Sequence, residues 1–351
     1  MRPDDILTPT PRGLFCRPGG FFIDPVRPVD RALITHGHSD HARSGHAAVL
    51  ATAETLAVMA ARYGEDFAGA RQTARINEPV RIGDTTVSFH PAGHVLGSAQ
   101  IMVEAGGLRI VVTGDYKREA DPTCAAFELV ACDVLVSEAT FGLPVFRHPD
   151  PRGEISKLIR SLALFPDRTH VVGAYSLGKA QRVIALLREA GHDRPIYIHG
   201  ALEAICALYE RAGVRLGPLV PVRATRGDLA GEIVVAPPGS TGDVWARRFA
   251  DPVTALASGW MRVRARARQN GVELPLVISD HADWDDLTRT VIETGCAELW
   301  VTHGQEDALV HWAETRGLAA RPLRLVGYEE AEAEGAGPAP KDRRPENPAV
   351  S

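Results

Sequence analysis

The feature that most constrains the fold of this 351-residue chain is a recurring unit: a short apolar, often β-branched run followed at once by a polar residue able to do chemistry. Ala32-Leu33-Ile34 leads to His36, Ile110-Val111-Val112 to Thr113-Gly114-Asp115, and Val134-Leu135-Val136 to Ser137-Glu138. Leu276-Val277-Ile278 leads to Ser279-Asp280-His281, and Leu299-Trp300-Val301 to Thr302-His303. Such short, continuous runs read as strands buried on both faces by helices, and in sheets of that kind ligands gather beyond the strand ends. Between them lie helical segments such as Leu202 to Ala212 and Ala308 to Arg316, closed by Gly213 and Gly317, as expected of helix C-caps. The predicted class is α/β, or layered αββα, with five strand ends aimed at one place.

The densest of these ends is Thr35-His36-Gly37-His38-Ser39-Asp40-His41. Imidazole nitrogen and carboxylate oxygen suit zinc, manganese or iron, and alternating side chains on a tight loop can face two neighbouring positions. Two ions about 3.5–4 Å apart clamp a phosphoryl or acyl centre from both sides and bring the pKa of a bound water toward about 7. A polar turn with solvated histidines is the bland alternative, and the density of the motif argues against it. Two ions need further ligands, and the candidates are His94 in Pro91-Ala92-Gly93-His94, Asp115 and His303. Alone, a His or Asp at a strand end usually caps a turn; together with the first motif, these read as ligands.

The middle of the chain has its own alternation: helices near 156–165 and 180–190, and strands near 170–173, 195–198 and 232–235. It separates Asp115 and Glu138 from His281 and His303, and reads as an inserted domain over 142–270, between parts of a first domain at 1–141 and 271–327. The Glu-, Ala-, Pro- and Gly-rich stretch 328–351 is expected to be disordered. From Glu329 onward six acids face three bases, so most of the net charge of -5 lies in this tail. Net charge therefore does not exclude a polyanionic substrate, since local fields and bound ions decide. The five cysteines are scattered and form no CxxC, which favours reduced thiols. No apolar run approaches membrane-spanning length, and Met1-Arg2-Pro3-Asp4-Asp5 lacks the pattern of a signal peptide, so a cytoplasmic protein is expected without a membrane partner.

The order of these motifs resembles the metallo-β-lactamase superfamily, with its His-x-His-x-Asp-His signature, a later histidine, a bridging aspartate and a final histidine. The resemblance implies that His36, His38 and His94 hold one divalent ion, that Asp40, His41 and His303 hold a second, and that Asp115 bridges them, the ions being zinc or manganese. Glu138 in Ser137-Glu138-Ala139-Thr140, His281 in Ser279-Asp280-His281-Ala282-Asp283 and His303 in Thr302-His303-Gly304 are similar to the extra motifs of the β-CASP branch, which processes nucleic acids. The central insertion stands where that branch carries its β-CASP domain. Gly259-Trp260-Met261, Asp283-Trp284 and Gly114-Asp115-Tyr116-Lys117 resemble bacterial ligase-associated DNA exonucleases and relatives of messenger-RNA 3′-end processing factors.

That resemblance implies a two-metal αββα nuclease acting on DNA, single-stranded or from ends, in functional association with DNA ligase and helicase. Catalytic roles fall to His281, as proton donor to the leaving oxygen, to Glu138, which orients it, and to Asp40, which orients the attacking water. RNA processing and small-molecule hydrolysis of the lactonase or thioesterase type remain alternatives, as does a non-catalytic nucleic-acid-binding module, although no ligand position is missing. Two segments suit phosphates. Arg262, Arg264, Arg266 and Arg268 gather four cations without an acid, matching either a phosphate grip or a solvated helix. Gly173-Ala174-Tyr175-Ser176-Leu177-Gly178-Lys179 nearly spells a P-loop, but Ala180 replaces its hydroxyl residue. Ser176 and Lys179 are the expected substrate contacts there.

Overall fold

The computed structural model describes residues 1–269 and 271–325; the expected disordered tail lies outside them. Three sheets organise the chain. The first follows chain order: β1 (Leu7–Thr10), β2 (Gly13–Cys16), β3 (Phe21–Ile23), β4 (Arg31–Leu33), β5 (His46–Ala51) and β6 (Ala68–Thr73). The second runs from β7 (Val80–Ile82) through β8 (Thr85–Pro91), β9 (Ala99–Ala105), β10 (Leu108–Val112) and β11 (Val134–Ala139). It is completed beyond β11 by two strands from late in the chain, Glu298–Gly304 and Ala319–Pro322.

These two sheets face each other. Ile23, Leu33 and Leu50 of the first meet Val87, Phe89, Ile101, Ile110, Val134 and Trp300 of the second in one buried cluster. Helix Ala53–Tyr63 places Met59 among Val49, Ala51 and Phe67 on the outer face of the first sheet. Helices Trp284–Glu293 and Glu306–Glu314 place Leu287, Val291, Leu309 and Ala313 on Val111, Leu135 and Leu299 of the second. The result is αββα. The expected α/β class holds, with one refinement: the apolar runs at Ala32, Ile110, Val134 and Leu299 have a second sheet on one face and helices on the other. Continuous apolarity registers burial on both faces without saying what does the burying.

The third sheet is parallel throughout. It comprises β12 (His170–Gly173), β13 (Ile196–Ile198), β14 (Leu219–Pro221), β15 (Ile233–Ala236), β16 (Val253–Ala257) and β17 (Leu274–Leu276), in the order β14-β13-β15-β12-β16-β17. Helices Pro151–Leu164, Lys179–Glu189 and Gly200–Arg211 pack on it in a cluster that also takes in Val58 and Leu96 from the first layers. In β17, Leu274 and Leu276 pair with Ala255 and Ala257, so the chain leaves this sheet only after Leu276. The run Leu276-Val277-Ile278 is accordingly the tail of a strand in the inserted sheet. Three sheets supply the five strand ends. With this numbering the late strands of the second sheet are β18 (Glu298–Gly304) and β19 (Ala319–Pro322).

Candidate metal centre

The histidine loop leaves β4 and is held at its root by Asp24, whose carboxylate accepts from Thr35 N at 2.8 Å and from Thr35 Oγ1 at 2.6 Å. Gly37 permits the loop to lie on helix Ala53–Tyr63, since a Cβ there would stand 2.5 Å from Val58 Cγ1. Gly114 turns with φ +54° beside Thr35, where a Cβ would fall 2.6 Å from the hydroxyl, and so delivers Asp115 to the same spot.

His36 Nε2 and His94 Nε2 lie 3.1 and 3.0 Å from His38 Nδ1, and with Asp115 these ligand atoms all fall within 4.8 Å of one another. Each ring spends its other nitrogen outside: His36 Nδ1 on the Thr35 hydroxyl, while His38 Nε2 donates to the Leu177 carbonyl and His94 Nδ1 to the Asp280 carbonyl. His41 Nδ1 meets Asp24 Oδ2 at 2.8 Å. Outer partners of this kind fix tautomer and ring direction, leaving the inward nitrogen basic. Burial lowers His36 and His94 below the usual imidazole range and His38 to about 4, so all three are neutral, as ligands must be.

Asp115 divides its oxygens between two groups. Oδ2 lies 3.4 and 3.6 Å from His36 Nε2 and His94 Nε2, while Oδ1 lies 3.5 Å from His41 Nε2. Asp40 Oδ2 stands 3.6 Å from His41 Nε2, and His303 stacks on His41 with ring centroids 4.9 Å apart. His303 arrives by a bulge: Glu138 pairs with Thr302 but Ala139 pairs with Gly304, so the ladder skips His303, which adopts φ +61°. A bulge re-aims a side chain that regular alternation would direct elsewhere. The donor set fits divalent cations: buried imidazoles converge on a shared carboxylate, and Asp40 Oδ1 is buried without a hydrogen-bond partner among the described residues.

Beside this cluster, His281 Nδ1 lies 3.2 and 3.0 Å from the two oxygens of Glu138, whose Oε1 also accepts from Tyr116 N at 2.7 Å. Burial opposes charge on His281, but Glu138 and then Asp115 outweigh it and push its pKa up to about 10. Glu138 thus fixes both this ring and the backbone next to Asp115.

Of the expected ligand and catalytic residues, His38, Asp40, Asp115, His281 and His303 line a cavity of about 1040 Å³ that is also lined by Ser176, Lys179 and Trp260, while His36, His41, His94 and Glu138 are buried beside them. Lys179 is 3% exposed and its ammonium is engaged by the Asp280 carboxylate, so its charge is paired within the protein at the cavity wall. Ser176 remains on the wall. Asp280 serves two partners: its carbonyl orients His94 and its carboxylate holds Lys179. No local sequence signal distinguishes that double use. One turn further along the helix, Arg182 binds Asp121 at 2.7 Å and Glu119 at 3.2 Å, tying the inserted sheet's helix to the loop after Asp115.

Residues 23–173 match the Metallo-beta-lactamase superfamily. The chain carries a metallo-β-lactamase domain. It is 30% identical over 328 residues to a probable DNA ligase of Opitutus terrae, a match covering 88% of this chain and 30% of that protein. It is 32% identical over 230 residues to Endoribonuclease YSH1 of Mycosarcoma maydis, covering 53% of this chain and 26% of the relative. To Cleavage and polyadenylation specificity factor 73 of Drosophila melanogaster it is 32% identical over 129 residues, covering 34% and 19%. The chain thus spans less than a third of the length of each of these curated relatives. In fold it is similar to a solved protein of unknown function from Enterococcus faecalis, with TM-score 0.57 and 15% identity, covering 83% of this chain and 78% of the other. Among the described residues, no helix is long and apolar enough to cross a membrane.

Proposed function

We propose that this protein is a metal-dependent nuclease that hydrolyses phosphodiester bonds of DNA, single-stranded or from ends, in repair or processing in the cytoplasm. The observation that carries the reading is the His281–Glu138 pair standing beside the histidine cluster, with Glu138 Oε2 at 3.0 Å from the ring. A hydrolase of small esters has no need of a charged imidazole held by a buried carboxylate beside its metal ligands.

In this reading His36, His38 and His94 hold one divalent ion, Asp40, His41 and His303 hold the other, and Asp115 is shared. The ions, zinc or manganese, supply Lewis acidity and an activated water. The chain does the rest. Asp40 orients the water. His281 gives its proton to the leaving oxygen, and Glu138 keeps that ring charged and aimed. The third sheet and its helices, as a β-CASP-like insert, close the other side of the cavity, which Ser176 lines. DNA is favoured over RNA because the match to the probable DNA ligase runs over most of the chain, whereas the matches to the endoribonuclease and the polyadenylation factor cover about half or less. The same relative supports functional association with a DNA ligase, and by family resemblance with a helicase.

The test is hydrolysis of labelled circular and linear DNA and RNA by protein loaded with manganese or with zinc, with product ends mapped and a lactone assayed in parallel. Cleavage of linear single-stranded DNA is expected. Turnover of the lactone with both nucleic acids left intact would overturn the reading, and preference for RNA would transfer it to the alternative substrate.

A further inference from the structure

The two groups of ligand residues are oriented from different parts of the chain. His41 leans on Asp24, which follows β3 in the first sheet. His38 and His94 lean instead on the inserted sheet. His38 Nε2 donates to the Leu177 carbonyl at 3.2 Å, in the loop between β12 and helix Lys179–Glu189, and His94 Nδ1 donates to the Asp280 carbonyl at 2.8 Å, just beyond β17. Two histidines carried by the first two sheets thus take their direction from segments that follow strands of the third.

Both carbonyls are fixed from the insert's side. Gln181 is fully buried in the first turn of the helix; its Oε1 accepts from Gly178 N at 2.8 Å and its Nε2 donates to the Ser176 carbonyl at 3.0 Å, which pins the loop around Leu177. Gly178 has φ +86°, and a Cβ there would stand 2.3 Å from Val95 Cγ1, so glycine lets this loop close on the segment that carries His94. Lys179, the next residue, engages the Asp280 carboxylate, and both side chains are buried. One oxygen of that carboxylate lies within 4.8 Å of ligand atoms of His94 and His281. A buried carboxylate without water to turn to follows its one cation, so Lys179 determines where the Asp280 backbone points its carbonyl.

We propose that Lys179 is a positioning residue for one metal ion alone: by holding Asp280 it fixes the carbonyl that orients His94, so that the inserted sheet sets the affinity of the ion at His36, His38 and His94, while the ion at Asp40, His41 and His303 depends on the first two sheets. This rests on the ligand assignment within the nuclease reading and is independent of which nucleic acid is cleaved. Its sign separates positioning from a simple effect of charge. Removing a cation beside a dication strengthens binding by Coulomb's law, whereas losing the group that orients a ligand weakens it by about 10–100-fold.

In the experiment, metal-free full-length protein is titrated with zinc against a chelator of known affinity, and the Tm of the metal-free form is recorded beside the two dissociation constants. In Lys179→Met one constant is expected to weaken by about 10–100-fold and the other to stay within about threefold of wild type. His94→Ala should lose the same ion, so adding Lys179→Met to it should leave the remaining constant unchanged. Because Lys179→Met strands a buried carboxylate, it is expected to lower Tm. The double variant Lys179→Met with Asp280→Asn removes that charge and keeps the local net charge of wild type; it should recover Tm while the same constant stays weak, and it carries the test alone if the single variant does not fold. Tighter or unchanged zinc in Lys179→Met, equal weakening of both constants, or affinity that returns with Tm in the double variant overturns the proposal. Two zinc ions held by His94→Ala at wild-type affinity would instead overturn the ligand assignment, which is a different result.

Discussion

At the residue scale, the roles of His281 and Asp24 separate by what each touches. His281 Nδ1 is taken by Glu138, so its Nε2 is the edge left to act, and replacing it by Ala is expected to lower kcat by about 10²–10⁴-fold, the usual worth of a positioned acid. Metal content measured by atomic absorption should stay near wild type; loss of an equivalent of metal would make His281 a ligand, a role its closeness to Asp115 and Glu138 also permits geometrically. Asp24 touches no reacting group. It holds His41 Nδ1 at 2.8 Å and the Thr35 backbone and hydroxyl, so Asp24→Asn is expected to weaken metal binding by about 10–100-fold, as loss of an outer partner does. Chelator competition reads that constant directly, and unchanged affinity would refute the assignment.

At the element scale, helix Lys179–Glu189 is the joint between the inserted sheet and the metal-bearing layers. Lys179 and Arg182 stand one turn apart on its inward face, engaging Asp280 and Asp121. Arg182 is 1% exposed, and removing one member of a buried pair leaves the other charge stranded, at a cost of about 3–5 kcal/mol. Arg182→Ala should accordingly lower the urea midpoint of unfolding, while the double variant that also replaces Asp121 by Ala should recover part of the loss. Equal losses in single and double variants would show that the pair contributes only through packing. This joint was half legible. The strand-loop-helix around Gly178 and the cation at Lys179 could be read along the chain. That the cation pairs with a carboxylate 101 residues away depends on how two layers dock.

At the scale of the whole molecule, buried histidines and carboxylates from the first two sheets converge on one place, so ion binding links segments far apart in sequence. Treatment with a strong chelator should abolish turnover and lower Tm, because an ion held only by the folded chain stabilises it by about 2.7 kcal/mol at a hundredfold excess over its Kd. Restoring manganese or zinc should recover both; an unchanged Tm with lost activity would mean that the ions bind without bracing the fold. The expected ligands were legible because strand ends in layered α/β folds collect in one crevice, and residue type and order survive in a linear reading. The apolar runs alone do not say which layer covers each face, since burial of a strand by a sheet and by a helix leaves the same pattern. The sequence by itself determined which side chains are available: the imidazoles and carboxylates, their order, and the glycines that let their loops approach. Only the tertiary structure decided how each is used. The bulge that turns His303 inward, the sharing of Asp115, the burial of Lys179 against Asp280 and the contacts of Trp260 with Phe141 and Arg266 all depend on strand register and docking between distant segments, which no local pattern records.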